Sequence, residues 1–173
     1  MSANSRLTTA VHALCWIELA RRRGEPALSS ERVAASLRSH PVLVRRCLGE
    51  LKSAGLVGSS RGPGAGWQLT RPAEQVTLLD VHRAVDDQPL FGLHPHEPNL
   101  ECPVGSGIRP VLGELYGDIA GEVERRLAAQ TVRDVLERTL ARTTAAVTPG
   151  RLRDRDHAAG AGGAAASPGP GAG

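Results

Sequence analysis

The sequence predicts a mainly α-helical chain with one small β-hairpin, and three observations carry that prediction. Apolar residues recur at helical spacing through much of the first 55 residues and again beyond residue 110. A glycine-rich stretch, Arg61-Gly62-Pro63-Gly64-Ala65-Gly66, separates two short runs with strand character, 56–60 and 67–70. Beyond about Thr144 the chain turns to Ala, Gly, Pro and Arg without periodicity, a composition that cannot bury a core and predicts a disordered tail.

Leu7, Val11, Leu14, Cys15, Ile17 and Leu19 fall near helical spacing, with Thr8 or Thr9 as a cap and Gly24 as a stop, so a first helix is expected over about 8–23. Ser29 or Ser30 caps a short second helix that holds Val33, Ala34 and Leu37 and ends near Arg38. His40-Pro41 restarts the chain, because the residue before a proline avoids helical geometry while proline suits the first helical position. The third helix should span about 41–54 and close at Gly55. Two helices joined by such a tight corner have the spacing of a helix-turn-helix. After the hairpin, Thr77 with Asp80 three residues on begins a short helix to about Val85. Pro89, Pro95, Pro98, Pro103 and Pro110 predict a loop over most of 86–110. Leu112, Leu115, Ile119, Val123 and Leu127 then give a long amphipathic helix from Val111, interrupted by Gly113, Gly117 and Gly121, and Thr131 caps a last one. The expected organisation is a DNA-binding unit over 1–85, a sensor loop over 86–110, dimerisation helices over 111–143 and a tail over 144–173.

Charge is divided unevenly. Residues 1–72 hold ten Arg and one Lys against four acidic residues, whereas 73–173 hold ten Arg against fourteen acidic ones. Abundant arginine alone does not explain this, since Arg is equally frequent on both sides and the acids are not. A basic half beside an acidic half points to a polyanion as partner of the first. Nucleic acid is favoured over a membrane, because no helix combines a continuous basic face with a large apolar one. No apolar run of about eighteen residues exists, and the apolar stretch near the start is followed rather than preceded by Arg21-Arg22-Arg23, so a cytoplasmic location, nucleoid-associated when on DNA, is expected. Cys15, Cys47 and Cys102 are odd in number and widely spaced, which argues for reduced thiols rather than a disulfide framework.

The third helix carries the chemistry. At about 100° per residue, Val44, Cys47, Leu48 and Leu51 gather on one side and Val42, Arg45, Arg46, Gly49, Lys52 and Ser53 on the other. Short residues permit close approach to a groove, and long donors reach phosphates or guanine edges. The glycine-rich stretch lacks the Gly-Lys-Ser/Thr of a phosphate loop and is not followed by the helix a dinucleotide fingerprint requires. A hairpin wing with Arg61 at its tip is the better reading, since arginine suits the concentrated negative potential of a narrow minor groove.

Several segments together resemble the Rrf family of bacterial winged helix-turn-helix regulators over about 5–142. They are Arg6-Leu7-Thr8-Thr9, Leu51-Lys52-Ser53-Ala54-Gly55-Leu56-Val57, the wing 61–67, Leu69-Thr70-Arg71-Pro72 and Val76-Thr77-Leu78-Leu79-Asp80-Val81. Ala10-Val11-His12-Ala13-Leu14, Pro41-Val42-Leu43-Val44-Arg45-Arg46 and Cys102-Pro103-Val104-Gly105 are similar to its YwnA-type branch. The resemblance implies a homodimer joined through the long helix and a roughly palindromic operator on double-stranded DNA. It assigns Val42, Arg45 and Arg46 to the recognition helix and Arg61 and Gly62 to the wing. Where IscR-like members carry a glutamate on the recognition helix, this chain places Arg45. Cluster-binding members carry three cysteines in the loop before the long helix and this chain has only Cys102 there, so no iron-sulfur cofactor is expected.

Cys102 reads either as a redox or ligand-responsive thiol ahead of a helix or as an unreactive loop cysteine beside Pro103. His94, His96 and Cys102, with Glu97, form a candidate zinc or copper set, although prolines throughout the segment oppose it and no metal is expected. Cys15, Cys47, His12 and His82 read as packing residues. Arg21-Arg22-Arg23 either touch DNA backbone or complement the helix dipole. No catalytic residue is expected: Cys102 lacks a His/Asp partner pattern or a CxxC motif. The expectation is a sequence-specific DNA-binding repressor. The alternative is a winged-helix module that binds proteins without operator specificity.

Overall fold

A computed structural model describes residues 3–60, 62, 64–86 and 88–146. Among these residues, six α-helices and a two-stranded sheet follow in the order α1 (Ala3–Arg22), α2 (Ser30–Leu37), α3 (Pro41–Ser53), β1 (Val57–Ser59), β2 (Trp67–Leu69), α4 (Leu78–Val85), α5 (Pro103–Ala128) and α6 (Val132–Ala146). A single 3₁₀ turn, Ala73–Gln75, precedes α4. The mainly α architecture with a small hairpin is the one expected. The rest of the expected tail, 147–173, lies outside the described residues, as does Arg61.

The first helix begins earlier than its apolar spacing suggested. Residues from Ala3 onward are helical, so Thr8 and Thr9 are interior positions, and the Thr9 hydroxyl donates to the Ser5 carbonyl at 2.8 Å instead of capping. Ala10, Ala13, Leu14, Ile17 and Ala20 are buried on its inner face. Opposite them, Ser29 caps α2 through Arg32 N–H, and α2 ends on Arg38 in the left-handed conformation at φ 47°. Ser39 N–H then returns to the Ala34 carbonyl at 3.0 Å, which turns the chain into α3.

The core is one cluster in which α1, α2, α3 and α4 meet through Leu14, Val33, Val44, Leu48, Leu51 and Val81. β1 and β2 pair antiparallel with Val57 opposite Leu69 and Ser59 opposite Trp67. Leu28 extends this hairpin by one bridge, exchanging backbone hydrogen bonds with Trp67 at 3.0 and 2.9 Å. The chain before α2 thus forms a third rung that ties the hairpin to the helices. Gly66 is required there, since a Cβ on it would lie 2.8–2.9 Å from Leu28 backbone atoms.

Thr77 and Asp80 close a reciprocal capping box at the start of α4, at 3.0 and 3.1 Å, and Arg71 adds a 2.7 Å ion pair to Asp80. Thr131 and Asp134 make the same exchange at α6. Val132 N–H to the Val76 carbonyl and Leu78 N–H to the Gln130 carbonyl, at 2.9 and 2.8 Å, pin the beginning of α6 to the beginning of α4.

The long helix starts at Pro103, eight positions before the expected Val111, and passes through Pro110. Pro103 occupies the first turn, where its missing N–H has no intrahelical partner to lose. The start is fastened by the Asn99 carbonyl, which accepts from Cys102 N–H at 3.2 Å and packs so close to Gly105 that a Cβ has no room. Phe91 stacks on Tyr116 with centroids 5.0 Å apart, laying the preceding segment along the helix. No described helix is long and apolar enough to cross a membrane.

Candidate nucleic-acid interface

The sequence of α3 splits it into two faces, and the fold uses both. Val44, Cys47, Leu48 and Leu51 are buried in the core, which turns Val42, Arg45, Arg46 and Lys52 outward. Pro41 sets the first turn, and the His40 imidazole Nδ1 accepts from Val42 N–H at 3.2 Å. Val42 is 54% exposed and the Arg46 side chain 78%. An apolar side chain that exposed, beside two guanidinium groups, has no role in this core.

Neither arginine is loose. Arg45 reaches Glu31 at the start of α2 at 3.1 Å, and Arg46 lies 3.5 Å from Glu50, which also takes a 2.8 Å hydrogen bond from Arg6 on α1. Two carboxylates thus hold the two forks at the rim of the helix. Exposed pairs of this kind contribute about 0–1 kcal/mol each, so a phosphate can displace them at little cost. Glu31 and Arg6 lie on other helices, so neither contact follows from the sequence of α3. Only the four-residue spacing of Arg46 and Glu50 was visible in sequence.

Lys52 donates to the Ser59 hydroxyl at 2.8 Å and so joins α3 to β1. Beyond β1, Gly62 at φ +95° and Gly64 at φ +77° make a tight turn in which Ala65 N–H donates to the Gly62 carbonyl at 2.9 Å. Ser60 closes its base through 3.0 and 3.2 Å hydrogen bonds with Gly66. The hairpin therefore projects beside α3 with Gly62 in its turn. Arg61, the expected tip donor, lies outside the described residues.

The triplet Arg21-Arg22-Arg23 is occupied within the chain. Glu18, only 2% exposed, accepts from Arg21 at 2.8 and 2.9 Å and from Arg22 at 2.8 Å. The hydrogen bond from Arg21 is the main reason its carboxyl stays below the usual range, against the opposing effect of burial. Arg23 and Arg32 lie over the Trp16 ring at 5.6 and 5.8 Å. This arrangement favours the structural reading of the triplet.

Cys102 is exposed at the N-cap of α5. It makes no capping hydrogen bond of ordinary geometry, yet the nearby N–H groups of Gly105 and Val104 hold its pKa below the usual thiol value. Burial pushes Cys15 and Cys47 up to about 11. His94 is engaged with the His96 carbonyl at 2.7 Å, and no group of three or more His, Cys, Asp or Glu among the described residues is placed to hold a metal ion. The candidates His94, His96 and Cys102 are not brought together. The segment 86–110 holds one cysteine, Cys102.

Residues 3–138 match the profile of the Rrf2 family, described as iron-dependent transcriptional regulators. YwnA of Bacillus subtilis strain 168, named as a candidate HTH-type transcriptional regulator, is 38% identical over 135 residues, which cover 77% of this chain and 96% of YwnA. Among solved structures, a protein described as a candidate DNA-binding protein aligns with a TM-score of 0.60 and 32% identity, over 76% of this chain and 98% of its own. The global cysteine regulator CymR of B. subtilis aligns with a TM-score of 0.56 and 24% identity, over 79% and 95%, a likeness of fold.

Proposed function

The chain belongs to the Rrf2 family of transcriptional regulators, and from that premise we propose that it binds a roughly palindromic DNA operator as a homodimer and represses by occupying it. The observation that carries this reading is the outward face of α3. Val42, Arg45 and Arg46 stand exposed on a helix whose opposite face is buried, and the hairpin turn with Gly62 projects alongside. In this reading α3 enters the major groove, Val42 approaches the bases, and Arg45 and Arg46 exchange their carboxylates for phosphates or guanine edges. Arg61 enters the adjacent minor groove.

The dimer is supported by α5. None of its 26 residues is buried, and Val104, Val111, Leu115 and Ile119 form an exposed apolar stripe. A second copy would cover the same stripe by two-fold symmetry. Two-fold symmetry in the protein matches two-fold symmetry in the operator. Cys102, at the start of this helix, is the proposed sensor, and with a single cysteine in its segment the signal is proposed to be read without an iron-sulfur cluster.

Selection of bound genomic fragments by the purified, reduced protein tests the reading, with absorbance and metal content measured on the same sample. Recovery of a palindrome near one or a few promoters is expected. Arg46→Ala and Arg61→Ala should each weaken operator binding, and because the dimer carries a substitution twice, loss of one phosphate contact per protomer should reduce the slope of log K against log salt by about 1.8. Salt-dependent binding to any duplex without a preferred sequence would overturn operator specificity and favour the protein-interaction module.

A further inference from the structure

We propose that the hollow between α1 and α6 is a binding site for a small, uncharged, apolar molecule the size of one or two rings, and that its occupancy sets the position of α6 against the DNA-binding unit. The second half rests on the regulator reading; the first does not. The hollow has a volume of about 470 Å³, within the range of small-molecule sites. Leu7, Val11 and Trp16 form one wall and Val135, Leu136 and Leu140 the other. No Asp, Glu, Lys or Arg lines it, so a charged ligand would lose its hydration without a partner. Its polar edge is the His12–Ser36 pair, Nε2 to Oγ at 2.9 Å, which can share a hydrogen bond with one polar group of the occupant.

Three observations favour a small molecule over a protein surface. None of the large apolar side chains in its walls is among the exposed ones, which lie on α3, on α5 and between residues 90 and 100. The site is therefore a recess rather than a protruding patch. A second copy of the chain has the α5 stripe to cover instead. Residues 147–173 offer only Val147 and Leu152 as large apolar side chains, which makes that segment a poor occupant.

The placement suits coupling. The beginning of α6 is pinned to Val76 and Leu78, while Thr139 and Leu140, farther along, face Leu7 and Val11 across the hollow. A molecule lodged there props the free part of α6 away from α1, and α5 is joined to α6 by only three residues, 129–131.

Titration of the full chain with N-phenyl-1-naphthylamine, an uncharged dye that fluoresces in apolar surroundings, tests the site. Saturable binding of one dye per chain is expected, weakened at least tenfold by Thr139→Phe, which fills the hollow from an exposed helix position, with unchanged melting temperature. Ser36→Phe fills it from the opposite rim and serves if Thr139→Phe does not fold. Leu115→Asp on the α5 stripe should bind dye like wild type. No saturable binding, equal binding by the filled variants, or loss in Leu115→Asp alone would overturn the site. Operator affinity should shift at least threefold at saturating dye, and no shift would overturn the coupling. Dye binding by a protein that selects no operator would overturn the regulator reading and leave the site standing.

Discussion

Gly66→Ala tests whether the hairpin is held by the chain before α2. A Cβ at residue 66 would sit 2.8–2.9 Å from the nitrogen, carbon and oxygen of Leu28, all backbone atoms that no rotamer change can move. Gly66 does not have a positive φ, so alanine accepts its conformation and the contact alone decides the outcome. Relief requires the hairpin to separate from Leu28, which forfeits the two Leu28–Trp67 backbone hydrogen bonds. Each contributes about 0.5–1.5 kcal/mol, so the loss is about 1–3 kcal/mol. Reduced freedom of the unfolded chain returns about 0.4–1 kcal/mol. A net destabilisation of about 0–2.6 kcal/mol is expected in urea unfolding followed by tryptophan fluorescence, about 1–3 kcal/mol relative to a glycine-to-alanine control with the same unfolded-state return, together with weaker operator binding as the wing loses its anchor. Gly58→Ala is the control, because in the same hairpin its Cβ would meet only Thr70 and Gln68 side chains at 3.9 and 4.0 Å. Equal stability of the two variants within about 0.5 kcal/mol, inside the range of unremarkable surface substitutions, would refute the argument.

Leu115→Asp should convert a dimer into monomers in sedimentation velocity without unfolding the protomer, since Leu115 is 50% exposed and contributes little to its core; a dimer that survives would place the interface elsewhere. Iodoacetamide at neutral pH should modify Cys102 well before Cys15 and Cys47, because its thiol is exposed with a lowered pKa and theirs are pushed up to about 11. Comparable rates for all three would remove the basis for a sensor at Cys102. Glu18 has a depressed folded pKa, so its contribution to stability is complete above the ordinary glutamate value of about 4.3 and disappears as pH falls through the lower folded value. Glu18→Gln should flatten the stability profile below about pH 4 relative to wild type, and parallel profiles would contradict the assignment.

The helix-turn-helix was legible because its signals are local. Ser29, Pro41, Gly55 and the alternation of buried and charged positions on α3 each depend on neighbours a few residues away. The wing was legible for the same reason, through its glycines. The start of α5 was not, because five prolines between 89 and 110 argue for loop, and the feature that offsets them is the approach of the Asn99 carbonyl to Gly105. Nor could periodicity show that Glu18 would be buried, since what makes that tolerable is Arg21 and Arg22 folding back on it from the next turn. The contacts of Glu31 with Arg45 and of Arg6 with Glu50 were hidden for a third reason: each crosses from one helix to another, whereas Glu50 lies four residues from Arg46 on the same helix.

A helix of 26 residues is about 39 Å long, close to one turn of B-form DNA, about 34 Å. In the proposed dimer, two such rods crossing along their apolar stripes act as the arms of a caliper whose jaws are the two copies of α3. A rotation of about 7° at a crossing near Val111 moves the end of the remaining arm, about 25 Å long, by about 3 Å, nearly the rise of one base pair. The half-site spacing that this protein accepts would then be set by side chains that never touch DNA. Exchanging Val111, Leu115 or Ile119 for larger or smaller apolar residues offers a way to retune the operator it selects without altering a single base contact.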